Sequence, residues 1–226
     1  MMEFVVLLVF SLAVIIWLTA RSTKEQLKGQ HKRYRRSRRR GVEPLPPRFV
    51  VVDLETTGLH SDRHEIIEIG AIKVERDGEL HATFQTLIKP QKRISRKITE
   101  LTGLDRKTLM REGNDLAEIL PQFIQFCEGL PMVAFNAKFD RSFLEAACAT
   151  HGHELGCKWT CALELSRKAW PNRNSYCLSE IARDGGLSLD DEHRAIGDCR
   201  RTMIVYASAV KEILGELEDA NRATTR

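Results

Sequence analysis

Phe49-Val50-Val51-Val52-Asp53-Leu54-Glu55-Thr56-Thr57-Gly58 joins a compact apolar run to two carboxylates and a Thr-Thr-Gly exit. Residues 49–54 have the length and β-branched content of a buried strand. Side chains two apart on a strand share a face, so Asp53 and Glu55 project together. The pattern D-x-E occurs three times, at Asp53/Glu55, Asp77/Glu79 and Asp190/Glu192. The last two fall in expected turns, where solvated surface charge is the simplest reading. The first closes an otherwise apolar strand, where acids are costly to desolvate unless something cationic is near.

Outward from this segment, residues 65–74 read as a second strand, Asp77-Gly78 as a hairpin turn, and residues 80–88 as a third strand. Beyond Lys89-Pro90 the pattern becomes helical. A short helix at 98–103 ends on Gly103, and an amphipathic one covers 114–126. A short strand at 132–135 precedes a helix at 138–150. Further helices are expected at 160–169, 178–183 and 195–217, the last with Ile196, Cys199, Met203, Val210 and Leu214 near helical spacing. The expected class is α/β, a mixed sheet that opens with an antiparallel meander and is flanked by helices.

Two other fragments suit the end of the first strand. Asn136-Ala137-Lys138-Phe139-Asp140 places Asp140 in the first turn of a helix that follows a strand, and His193-Arg194-Ala195-Ile196-Gly197-Asp198 opens the final helix. No other of the seven histidines has an aspartate five residues later. Singly, each has a structural explanation: a strand-end ion pair for Asp53 and Glu55, a helix dipole for Asp140, a helix cap for His193. Together they imply a shared counter-charge, because unit charges 4 Å apart repel by about 4 kcal/mol at an effective dielectric of 20. Oxygen ligands select a hard cation, Mg²⁺ or Mn²⁺. Two such ions suit in-line phosphoryl displacement, with histidine taking a proton from the attacking water.

With these motifs in this order, the sequence resembles the DEDDh, or DnaQ-like, 3′→5′ exonucleases. The matching segments are Asp53-x-Glu55-Thr56-Thr57-Gly58, Asn136-x-x-Phe139-Asp140 and His193-x-x-x-x-Asp198, with residues 84–90 and 98–103 also similar. The resemblance covers about 49 to 217 and implies a ribonuclease-H-like fold. It implies that Asp53, Glu55 and Asp198 bind one of two divalent cations, Mg²⁺ or Mn²⁺. Asp53 would bridge to the second ion, Asp140 would hold that ion, and His193 would be the general base. The backbone around Thr56, Thr57 and Gly58, with Leu59, would hold the terminal nucleotide, and Asn136 would support the substrate or the site. The implied activity releases nucleoside 5′-monophosphates from 3′ ends of single-stranded nucleic acid, DNA favoured and RNA allowed. The alternative is a membrane-tethered, catalytically inactive nucleic-acid-binding or scaffold protein with a nuclease fold. All five catalytic positions being filled argues against it. The extra C-terminal segment by which a replicative epsilon subunit binds its polymerase is not evident in the sequence.

Charge divides the chain of 226 residues unevenly. Residues 21–48 carry 11 basic and 2 acidic residues, +9, although the whole chain carries +4 and the 178 residues after them −4. The acidic balance excludes binding that depends on a basic protein face, but not a metal-assisted reaction on nucleic acid. Residues 4–20 are uncharged and almost wholly apolar, so they read as an uncleaved transmembrane anchor. The basic residues after them then place the catalytic domain in the cytoplasm. Topogenesis, anionic lipid and a non-specific nucleic-acid tether all remain open as uses of 21–40. The expected organisation is thus an anchor at 1–20, a basic and Pro-rich linker at 21–48, the exonuclease domain at 49–218 and a polar tail at 219–226. Lys89, Lys92, Arg93, Arg96, Lys97, Arg106, Lys107 and Arg111 are either phosphate contacts or a solvated loop. The six cysteines lack paired zinc-ligand spacing and read as reduced, mostly buried thiols.

Overall fold

The computed structural model describes residues 44–223 apart from 79 and 80, with side chains to residue 215. Residues Leu45–Glu216 form one compact unit, which carries the expected site. Its sheet is built from β1 (Arg48–Thr56), β2 (Ile66–Glu75), β3 (Ala82–Leu87), β4 (Met132–Ala134) and β5 (Trp159–Cys161). Its helices are α1 (Arg96–Thr102), α2 (Arg106–Glu112), α3 (Leu116–Cys127), α4 (Ala137–Thr150), α5 (Ala162–Ala169), α6 (Leu178–Asp184) and α7 (Ala195–Ala223). The strand order is β3-β2-β1-β4-β5. The β1–β2 and β2–β3 pairs are antiparallel, while β1–β4 and β4–β5 are parallel. The α/β mixed sheet with its meander first is therefore present.

Strand β1 organises both layers. Val50, Val52 and Leu54 are buried in a core that includes Phe123 of α3 and Phe143 and Leu144 of α4. The alternate face turns to α7. Phe49 meets Tyr206 edge-on with ring centroids 5.4 Å apart, and Cys199 Sγ donates to the carbonyl oxygens of Val51 and Gly70. That second face continues along the strand as Asp53 and Glu55. Gly70, paired with Asp53 on β2, makes the close approach of α7 possible. A Cβ there would lie 2.6 Å from the carbonyl carbon of Ala195. The fold thus brings the start of α7 to the carboxylate end of β1.

Several expectations change. Strand β1 runs two residues past Leu54, because pairing with β2 persists to an irregularity between Glu55 and Thr56. Arg48 opens β1, and Pro47 O accepts from Arg76 N. Residues 106–112, to which the sequence pattern assigns no element, form α2, capped by the Asp105 side chain on Thr108 N. Residues 159–161, at the start of an expected helix, form strand β5 instead. Cys127, Cys148 and Cys199 are buried, Cys157 and Cys161 half-buried and Cys177 exposed, all as free thiols.

The membrane-anchored localisation is corrected. Among the described residues no helix is long and apolar enough to cross a membrane. The longest, α7 with 29 residues, carries Asp198, Arg200, Arg201, Lys211 and Glu212. Residues 4–20 and 21–40, on which the anchor and lipid contact were expected, lie outside the described residues.

Candidate active site

Three elements deliver the expected carboxylates. Strand β1 presents Asp53 and Glu55, the first turn of α4 presents Asp140, and the first turn of α7 presents Asp198. Asp140 is only 3% exposed. His193 lies in the turn before α7 rather than on the helix, which begins at Ala195, and has φ 60°. Its backbone N–H donates to Asp198 Oδ2 at 3.2 Å. Donor atoms of Glu55, His193 and Asp198 all lie within 4.8 Å of one another.

The electrostatics of the cluster follow from burial and like charge. Burial first, then Asp140, Asp198, Glu55 and Glu68, holds the Asp53 carboxyl well above the usual carboxylate range. Burial, with Asp198, Glu68 and Asp140, pushes Glu55 up to about 8. Burial raises Asp140 to about 7, opposed by backbone hydrogen bonds from its own N–H and that of Leu54. Asp198 is raised by burial and held back mainly by Arg201. Such a set binds protons or cations in preference to standing bare. An almost all-oxygen donor set with one imidazole fits hard divalent cations, and the residues present suit two of them.

The loop after β1 is shaped from within. Thr56 and Thr57 are buried, and their hydroxyls bond inside the protein. Thr56 Oγ1 donates to Gly58 O at 2.6 Å, and Thr57 Oγ1 accepts from Glu65 N at 3.0 Å. A Cβ on Gly58 would strike the His64 ring at 2.4 Å. These side chains shape the loop, and Leu59 beside them is 78% exposed. Asn136 is exposed and makes no side-chain cap to α4.

Sequence reasoning missed two groups. Glu68, fully buried on β2 opposite Glu55, accepts from Arg194 Nε at 3.1 Å, Arg194 Nη2 at 3.0 Å, Ala195 N at 3.3 Å and Gln85 Nε2 at 2.9 Å. This pair ties the turn carrying His193 to the sheet. Arg201, one turn beyond Asp198, is also buried. The signal for Glu68 was an acid inside an apolar strand, the criterion that selected Asp53; Arg201 gave no spacing signal. Of the basic stretch 89–111, Arg96, Arg106 and Arg111 are engaged locally, with Glu100, the Pro90 and Lys92 carbonyls, and Glu112.

A family model described as "Exonuclease", RNase_T, matches residues 50–206, a span that holds all five of these residues. The PolC-type DNA polymerase III of Caldanaerobacter subterraneus subsp. tengcongensis is 36% identical over 169 residues, 75% of this chain and 12% of the relative. The chain therefore matches only about an eighth of such relatives. The DNA polymerase III subunit epsilon of Aquifex aeolicus is 31% identical over 166 residues, covering 73% of this chain and 81% of the relative. Among solved structures, E. coli Exonuclease I in complex with a dT13 oligonucleotide superposes with a TM-score of 0.65 at 16% identity. It covers 77% of this chain and 43% of that one, a likeness of fold.

Proposed function

Because the chain belongs to the exonuclease family that this model describes, we propose that it is a 3′→5′ exonuclease acting on single-stranded nucleic acid. It releases nucleoside 5′-monophosphates, with DNA favoured over RNA. The observation that supports this best is the convergence of Asp53, Glu55, Asp140 and Asp198 from three elements beside His193. DNA is favoured because the relatives named are DNA polymerase III proteins. A single strand is favoured because the E. coli structure of this fold holds an oligonucleotide.

The family works with two divalent cations, Mg²⁺ or Mn²⁺, which when bound supply Lewis acidity and neutralise charge developing at phosphorus. In this reading Asp53, Glu55 and Asp198 would hold one ion, and Asp53 with Asp140 would hold the other. His193, with a side chain 42% exposed, takes a proton from the attacking water and passes it to solvent. The water oxygen bonds to phosphorus as the P–O3′ bond breaks, and the departing O3′ takes a proton from solvent to become the 3′-hydroxyl of the shortened strand. The backbone of residues 56–58 and the Leu59 side chain seat the terminal nucleotide, with Asn136 at the rim. Residues 49–218 form the catalytic domain and 219–226 a polar tail.

The test uses the full chain with 5′-end-labelled single-stranded DNA, duplex DNA and RNA in Mg²⁺, Mn²⁺ or EDTA, beside Asp53→Ala. The expected result is metal-dependent laddering from the 3′ end that Asp53→Ala abolishes. Undiminished cleavage in EDTA, or cuts that begin internally, would sink the reading.

A further inference from the structure

Arg201 lies on α7 three residues after Asp198, with only 4% of its surface exposed. All three guanidinium nitrogens are used. Nε donates to Asp198 Oδ1 at 3.0 Å, and Nη1 donates to the carbonyls of Ser188 and Asp190 at 3.2 and 2.9 Å. Nη2 donates to the carbonyl of Asp191 at 2.8 Å and lies 2.9 Å from Asp198 Oδ1. One side chain therefore ties the 188–191 backbone to the helix that carries Asp198. Gly197, one turn back on α7, permits this approach, since a Cβ there would lie 2.5 Å from Asp191 O and 3.0 Å from Arg201 Nη2.

The backbone that Arg201 holds leads directly into His193. Asp191 and His193 both have φ 60°, a left-handed conformation that non-glycine residues keep only when their surroundings impose it. On the far side of His193, Arg194 is anchored by Glu68. The imidazole is thus carried on a short turn fixed at both ends.

We propose that Arg201 is a positioning residue that locks the 188–194 turn onto α7, so that His193 and Asp198 are presented to the reacting phosphate as one rigid unit. This rests on the exonuclease reading, in which His193 takes the proton. A lysine keeps the charge but cannot form the planar, five-contact arrangement of a guanidinium. Loosening the turn displaces the imidazole without removing it, and a displacement of about 1 Å costs on the order of 100-fold in rate.

Two measurements on the full chain test the proposal. The first is hydrogen exchange by mass spectrometry on metal-free protein, comparing the unsubstituted chain with Arg201→Met, Arg201→Lys and Gly197→Ala. Peptides spanning 188–194 are expected to exchange about tenfold faster or more in each variant, with β1 and β2 unchanged. Unaltered exchange in the turn overturns the proposal, as does acceleration spread equally over β1 and β2. The second is a double-mutant cycle with His193→Ala on single-stranded DNA in Mn²⁺. Arg201→Lys is expected to lower kcat about 10- to 100-fold alone, with KM within about threefold. In the His193→Ala background it should lower kcat by less than about threefold. Equal losses in both backgrounds overturn the role through His193. An unsubstituted chain that cleaves nothing sinks the exonuclease reading, while the exchange comparison still decides the clasp.

Discussion

Removing divalent cations from the carboxylate site and raising the pH should destabilise this protein in a window set by the site itself. Glu55 rises from an ordinary 4.5 to about 8 and Asp140 from 3.8 to about 7 in the fold, burial being the main cause of each. Between the unfolded and folded values the native state binds more protons than the unfolded chain, so stability falls as pH rises. The contribution is whole below about pH 4 and is lost as pH climbs through about 7 and 8. Taken alone, the Glu55 rise corresponds to about 5 kcal/mol and that of Asp140 to about 4 kcal/mol. Burial rather than mutual repulsion dominates both rises, and relaxation with water entry at the buried site realises only part of their sum, so about 3 kcal/mol is expected for the set. For a domain of this size that is a fall in Tm of about 6–12 °C. Glu128, which Lys73 and Arg48 hold below its ordinary value, acts in the opposite sense and only at acid pH, outside this window. The assay is thermal unfolding of the full chain from about pH 5 to about pH 9, in EDTA and in saturating Mn²⁺. In EDTA Tm should decline across the window, and in Mn²⁺ the decline should flatten because cations take the place of the protons. A Tm in EDTA that is level or rising from about pH 5 to 8, or equal slopes with and without metal, would refute the reasoning.

Asp53→Asn should separate function from stability: cleavage is abolished, while metal-free Tm rises at alkaline pH because the amide cannot ionise within the buried cluster. Cleavage kinetics and unfolding on the same preparation check both halves, and a lower metal-free Tm counts against it. Gly70→Ala places a methyl against the backbone of Ala195 and Ile196 and should cost about 1–3 kcal/mol by thermal or denaturant unfolding. Because it shifts Asp198 relative to Asp53, kcat should fall as well; unchanged kcat would be the contrary result. Arg194→Met strands the fully buried Glu68 and should destabilise by about 3 kcal/mol at neutral pH, read from urea unfolding. Adding Glu68→Gln to that variant should recover much of the loss.

What the sequence disclosed, and what it withheld, divides along range and length. The meander was legible because strands β1 to β3 are long enough to show their pattern, and Asp53 and Glu55 because a two-residue spacing fixes a shared face. Strand β5, Trp159-Thr160-Cys161, lacks the apolar run that marked the equally short β4, and helix α2 lies within a basic stretch that masks it, although Asp105 marked its start. The site was legible where chemistry sits in local spacing, as with His193 and Asp198. Its supports were hidden because Glu68 and Arg194 are 126 positions apart, and the bonds Arg201 makes to 188–191 depend on a turn whose shape no motif announces. Glu68 is the instructive omission. Between Ile67 and Ile69 it passes for the solvent side of an alternating strand, yet β2 is buried along both faces. An acid within a strand apolar on both faces must have a partner or a cation. That reasoning selected Asp53, and applied evenly it selects Glu68, whose place opposite Glu55 in the β1–β2 register then requires a cation nearby. Arg194 supplies it, and so ties the turn that carries His193 to the sheet.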